Sequence, residues 1–60
     1  MTDYRLYLLT RDDRIDRRIV LSCEDDERAI AEMDLHVVAA EGGELWRGSQ
    51  LVRRVAPRAD

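Results

Sequence analysis

The side chains able to do chemistry in this chain are few, and each is weighed first by its neighbours. His36 is the only histidine. As a general base or metal ligand it needs a Ser, Cys or carboxylate partner brought in by the fold. At helical spacing it falls beside an apolar stripe, near Glu32 and Ala40, where an ordinary boundary histidine belongs. Cys23 stands at a helix start, where the dipole lowers a thiol pKa, but the acids that follow raise it again, which suits a small inert thiol. Glu24, Asp25, Asp26 and Glu27 lack the D-x-D-x-D-G spacing of a calcium loop, and helix-start charge explains them. Gly42, Gly43 and Gly48 make no phosphate loop. The expectation is therefore a non-enzymatic protein with no catalytic residue, no cofactor and no metal.

The remaining candidate is E-L-W-R-G-S-Q-L-V-R-R-V, Glu44 to Val55, where Trp46 lies close to Arg47, Arg53 and Arg54. Aromatics among arginines stack on and neutralise nucleic acid. The same composition marks the centre of a protein–protein interface. A solvated sheet face with Trp46 tucked beneath the tail explains it equally well.

These residues need elements to position them. Y-R-L-Y-L-L alternates at period two, with Tyr4, Leu6 and Leu8 on one side and Arg5, Tyr7 and Leu9 on the other, a strand signal. R-I-D-R-R-I-V-L-S alternates again, placing Ile15, Arg17, Ile19 and Leu21 together. A tight turn at Asp12-Asp13 pairs Leu6 with Ile19, Tyr4 with Leu21 and Leu8 with Arg17, although that turn lacks the glycine such turns favour. Helix-start signals follow, with either Ser22 and Asp25 at capping-box spacing or Asp25 as the N-cap itself. Ala29, Ile30, Met33, Val37 and Ala40 form one apolar stripe, and Gly42-Gly43 are expected to stop the helix. A second hairpin turns at Gly48-Ser49 and pairs Trp46 with Leu51 and Glu44 with Arg53. Which of its faces packs on the helix is left open.

The plan predicted is α+β, β-β-α-β-β: a four-stranded antiparallel sheet in the order 2-1-3-4 with one helix on one face. Residues 1–56 make a single domain, and 57–60 a flexible tail. The expected core is Leu6, Leu8, Ile19, Leu21, Ile30, Met33, Val37 and Leu45. The candidate interaction surface, on the sheet face turned away from the helix, is Arg5, Tyr7, Leu9, Arg18, Val20, Trp46 and Arg53.

Size and charge bound the function classes. A chain of 60 residues buries about 60% of its unfolded surface, so its core is marginal. One cysteine allows no intrachain disulfide, which leaves oligomerisation as the stabiliser. Residues 24–44 carry eight acids against one arginine, and the remainder nine arginines against five acids, giving the formal net charge of −3. An acidic helix side and a basic sheet side follow, without the basic surplus usual in a nucleic-acid binder. M-T-D-Y-R-L-Y-L-L-T has neither the basic start nor the long apolar run of a signal peptide, and no stretch reaches membrane-span length, so a cytoplasmic, non-membrane location is expected.

The runs Y-R-L-Y-L-L, S-C-E-D-D-E-R-A-I-A and E-L-W-R-G-S-Q-L-V resemble a group of short uncharacterised bacterial proteins. Those share a Y-R-L-Y opening, an acidic helix start and an E-L-W-x-G hairpin. The group usually has Gly in its first turn, where this chain has Asp13, and it has no established activity to carry over. The first half is also similar to antitoxins of the HicB type, which run strand, acidic turn, strand, helix; their DNA-binding segment is missing here. The reading is a small interaction domain that self-associates as a homodimer or meets a protein partner. The alternatives are a single-stranded nucleic-acid binder using the Arg/aromatic face and an antitoxin-like subunit that masks a partner.

Overall fold

The computed structural model describes residues 1–38 and 41–57. Five elements run in the order β1 (Thr2–Leu9), β2 (Ile15–Cys23), α1 (Asp26–Val37), β3 (Gly42–Arg47) and β4 (Gln50–Val55). The strands form one antiparallel sheet in the order β2-β1-β3-β4, with α1 on one face. The α+β plan and strand order are those expected from the sequence. The third strand reaches β1 because the helix returns the chain to the end at which β2 began.

Alternation in β1 sends Tyr4, Leu6 and Leu8 toward α1, where they are buried with Cys23, Ala29, Met33 and Leu45. Ile19, Leu21, Ile30, Val37, Val52 and Val55 close the margins of that cluster. All eight expected core residues are in it or packed on it. Tyr4, Cys23 and Ala29 add to it. Ala40, expected to extend the helix stripe, lies outside the described residues, as do residues 58–60 of the expected tail.

Both hairpins contain a compensated irregularity. Leu6 pairs with Ile19, Tyr4 with Leu21 and Leu8 with Arg17, as the alternation requires. The turn, however, is not a tight pair at Asp12-Asp13. Asp13 N–H donates to the Thr10 carbonyl at 3.0 Å and Thr10 N–H to the Arg14 carbonyl at 2.8 Å, closing a longer loop. Asp13 takes φ 63°, the left-handed conformation that glycine supplies most cheaply. The longer loop slips the pairing so that Leu9 meets Ile15, and a bulge between Leu8 and Leu9 restores it. Ile15 is therefore not in line with Arg17, Ile19 and Leu21; it lies against the outer face. In the second hairpin Trp46 pairs with Leu51 around Gly48, whose φ of 60° suits the first central position of a two-residue turn. A bulge at Leu45/Trp46 then sets Glu44 opposite Arg54, not Arg53.

Asp25 is the N-cap of α1: its carboxylate accepts from Arg28 N–H at 2.9 Å, while Ser22 remains in β2. The helix ends at Val37, before the glycine pair, so Gly42-Gly43 do not stop it. They begin β3 and are buried. A Cβ on Gly42 would lie 2.6 Å from the Val55 carbonyl, and one on Gly43 would lie 3.2 Å from Val37 Cγ2. The pair lets β4 and the helix close on β3.

Candidate interaction surface on the sheet

The face away from α1 is built from the positions that alternate with the core. On it Arg5 lies between Val20 of β2 and Trp46 of β3, and Tyr7 lies between Arg18 and Glu44. Five of the expected surface residues, Arg5, Tyr7, Arg18, Val20 and Trp46, are thus brought together. Two are not part of an open outer surface. Leu9 shares the alternation of Arg5 and Tyr7 but is buried. Arg53 points to the other side, where Nη1 approaches Asp34 of α1 at 3.5 Å, because the β4 bulge turns it toward the helix.

The face divides into two halves. On the β3–β4 half the polar groups satisfy one another. Trp46 Nε1 donates to Glu44 at 3.0 Å, Arg54 Nε donates to the other Glu44 oxygen at 3.0 Å, and Arg54 Nη2 reaches Asp13 at 2.8 Å. The hydrogen bond to Glu44, with the nearby Asp13 charge, holds the Arg54 guanidinium above its usual pKa. On the β1–β2 half, Arg5 and Arg18 have no carboxylate within ion-pair distance among the described residues. Here Arg5, Tyr7, Ile15, Arg18, Ile19 and Val20 line a shallow depression. Val20 is 71% and Ile15 51% exposed, and both line this depression.

A second polar cluster lies where β2 passes into the helix. Tyr4 Oη donates to Asp26 Oδ1 at 2.6 Å, Arg47 Nη1 donates to the same carboxylate at 2.8 and 3.0 Å, and Arg47 Nη2 donates to Gln50 at 3.2 Å. Donation to the carboxylate raises the Tyr4 hydroxyl above 10.0, burial and the Asp26 charge add to this, and Arg47 opposes it. The carboxylate is already engaged by a hydroxyl and a guanidinium, so this cluster ties β1, α1 and β3 together. Sequence reasoning took Tyr4 as one of the alternating residues and Asp26 as helix-start charge. Only the coincidence of a tyrosine in the apolar alternation with an acid in the first helical turn hinted at the contact.

Cys23 is a buried free thiol, and His36 is half-buried near the helix end. No group of His, Cys, Asp and Glu able to hold a metal is found among the described residues. No helix among them is long and apolar enough to cross a membrane. Compared with protein-family models, with curated proteins and with solved structures, the chain matches none.

Proposed function

We propose that the protein is a small non-enzymatic interaction domain that associates with a second copy of itself through the β1–β2 half of its sheet. The observation that carries this reading is the contrast within one face. The β3–β4 half has its charges neutralised internally and exposes Leu51 alone, whereas the β1–β2 half presents the more exposed Val20 and Ile15 together beside arginines without a carboxylate partner among the described residues. A short chain with one cysteine gains stability from such burial. Sequence reasoning centred the contact on Trp46. The indole N–H is already bonded to Glu44 and the ring half-buried, so Val20 and Ile15 have more surface left to cover. Sedimentation equilibrium over a hundredfold concentration range tests the reading. A monomer–dimer transition is expected, weakened by Val20→Asp and unaffected by Arg53→Ala; a monomer at every concentration rejects it.

A second reading, a single-stranded nucleic-acid binder, is favoured by one observation. Arg5 stands opposite Trp46, and Arg18 opposite Tyr7, two arginine–aromatic pairs on an open face. The net charge of −3 opposes it. Sub-micromolar binding of a labelled single strand at physiological salt, abolished by Arg5→Ala with Arg18→Ala, would place this reading first.

A further inference from the structure

We infer that the contact between copies is a two-fold pairing of β2 with β2 of the second copy, joining the two sheets edge to edge into one; this rests on the self-association reading and specifies its geometry. β2 borders the sheet, so one side of its backbone has no strand partner. Unpaired edges template strand addition unless something blunts them. From Arg17 to Cys23 the strand pairs with β1 without a break in register, so its free side is equally regular.

The partner is identified by charge. β2 begins among Arg14, Arg17 and Arg18, with the single acid Asp16 at the bulge between them, and runs out into Glu24, Asp25, Asp26 and Glu27. Of those acids Asp25 caps the helix and Asp26 is held by Tyr4 and Arg47. Glu24 and Glu27 make no ion pair among the described residues. Arginines on an edge repel a second basic strand. An antiparallel second copy instead sets the basic beginning of each β2 against the acidic end of the other, twice, through one symmetric contact.

Sheet parity restricts the register. For both helices to remain on the same side of the joined sheet, the two-fold axis must pass through a residue, because a one-residue slip exchanges the faces. An axis at Arg18 would oppose like charges across the strands. An axis at Val20 lays Val20 against its twin on the outer face, sets Ile19 opposite Leu21 on the core face, and brings Arg18 opposite Ser22 and diagonal to Glu24, which meets Asp16 where the bulge interrupts β2. It covers the most exposed apolar side chain of the strand. It also extends a core whose margin is Ile19 and Leu21. Backbone bonds and this apolar cover hold the pair, while the exposed charges choose orientation more than they add affinity.

Charge-exchanged variants test the inference. Arg17→Glu with Arg18→Glu makes the beginning of β2 acidic, and Glu24→Arg with Glu27→Arg makes its end basic. All four side chains are exposed. Each variant alone is expected to dimerise at least about tenfold more weakly than the wild type, and an equimolar mixture is expected to recover a dimer containing one copy of each. Variants that dimerise as well as the wild type, or a mixture that stays monomeric while the wild type dimerises, would overturn the edge pairing and leave self-association standing. A wild type that stays monomeric throughout overturns both readings and leaves the edge to an extended segment of another protein. Should a charge variant fail to fold, Val20→Cys decides. A rapid disulfide-linked dimer on mild oxidation is expected, since directly opposed residues of adjacent strands are within disulfide reach. Its absence where the wild type sediments as a dimer contradicts the Val20 axis.

Discussion

β2 and β4 both border the sheet, and each carries an Arg-Arg pair, yet the two edges meet solvent in opposite ways. β4 is six residues long and bulged, and its arginines are spent within the fold: Arg53 on Asp34, Arg54 on Asp13 and Glu44. β2 is nine residues long, irregular only at its start, and Arg17 and Arg18 find no acid among the described residues. The same dipeptide is paired with acids on one edge and left without them on the other among the described residues. What decides is whether acids of the same chain stand within reach across the strand or on the facing helix.

That comparison can be broken by mutation. The largest effect is expected on the β3–β4 side, where Leu45 is fully buried between β1 and the bulged β4. Leu45→Ala should cost about 2–5 kcal/mol in urea denaturation, enough to unfold much of so small a domain. Val20→Ala, measured where the chain is monomeric, should change stability by no more than about 0.5 kcal/mol. Similar losses at the two sites would mean that the β2 half contributes to the monomer core as fully as the β3–β4 half.

A smaller effect belongs to Gly42. Its added Cβ would meet the Val55 carbonyl at 2.6 Å, a backbone atom that cannot yield easily. Gly42→Ala should therefore cost about 1–3 kcal/mol through overpacking. Ser22→Ala, on exposed β2, should be close to neutral. A neutral Gly42→Ala would show that β4 is not clamped onto β3 as described.

The smallest effect is one of pH at the junction between the two halves. The Tyr4 hydroxyl ionises above 10.0 because it donates to Asp26 and is buried beside that charge. An unfolded tyrosine loses its proton first. The stability this raised pKa contributes is thus fully present below pH 10.0 and is lost as pH rises through the ionisation of Tyr4 in the folded chain. Tyr4→Phe should lower the urea midpoint at neutral pH and flatten the alkaline decline. An alkaline decline of unchanged steepness would remove Tyr4 from the explanation.

Much of this fold was legible in the residues. Period-two alternation fixed Tyr4, Leu6, Leu8, Ile19 and Leu21 in one layer, and helical spacing supplied Ile30, Met33 and Val37 to cover it. Strand order followed from the single return of the helix. The bulges were not legible, since nothing in R-I-D-R or L-V-R-R marks the residue to be skipped. They are set by the balance between turn geometry and burial of the next apolar pair. Their consequence was to misplace Ile15 and Arg53 by one face each. Gly42-Gly43 were misread because a glycine needed for close strand and helix approach looks, in one dimension, like a helix stop. The Tyr4–Asp26–Arg47 contact depends on three distant segments meeting, which no local pattern encodes.

The central claim is that β2, and not β4, is the edge that finds a second copy. Amide hydrogen exchange followed residue by residue as concentration is raised a hundredfold tests it most directly. Alternate amides between Arg17 and Ser22, those on the free side of β2, should become protected with concentration, while amides on the free side of Gln50–Val55 keep the same rates. Protection that grows on β4, or on neither edge while sedimentation shows a dimer, would contradict it.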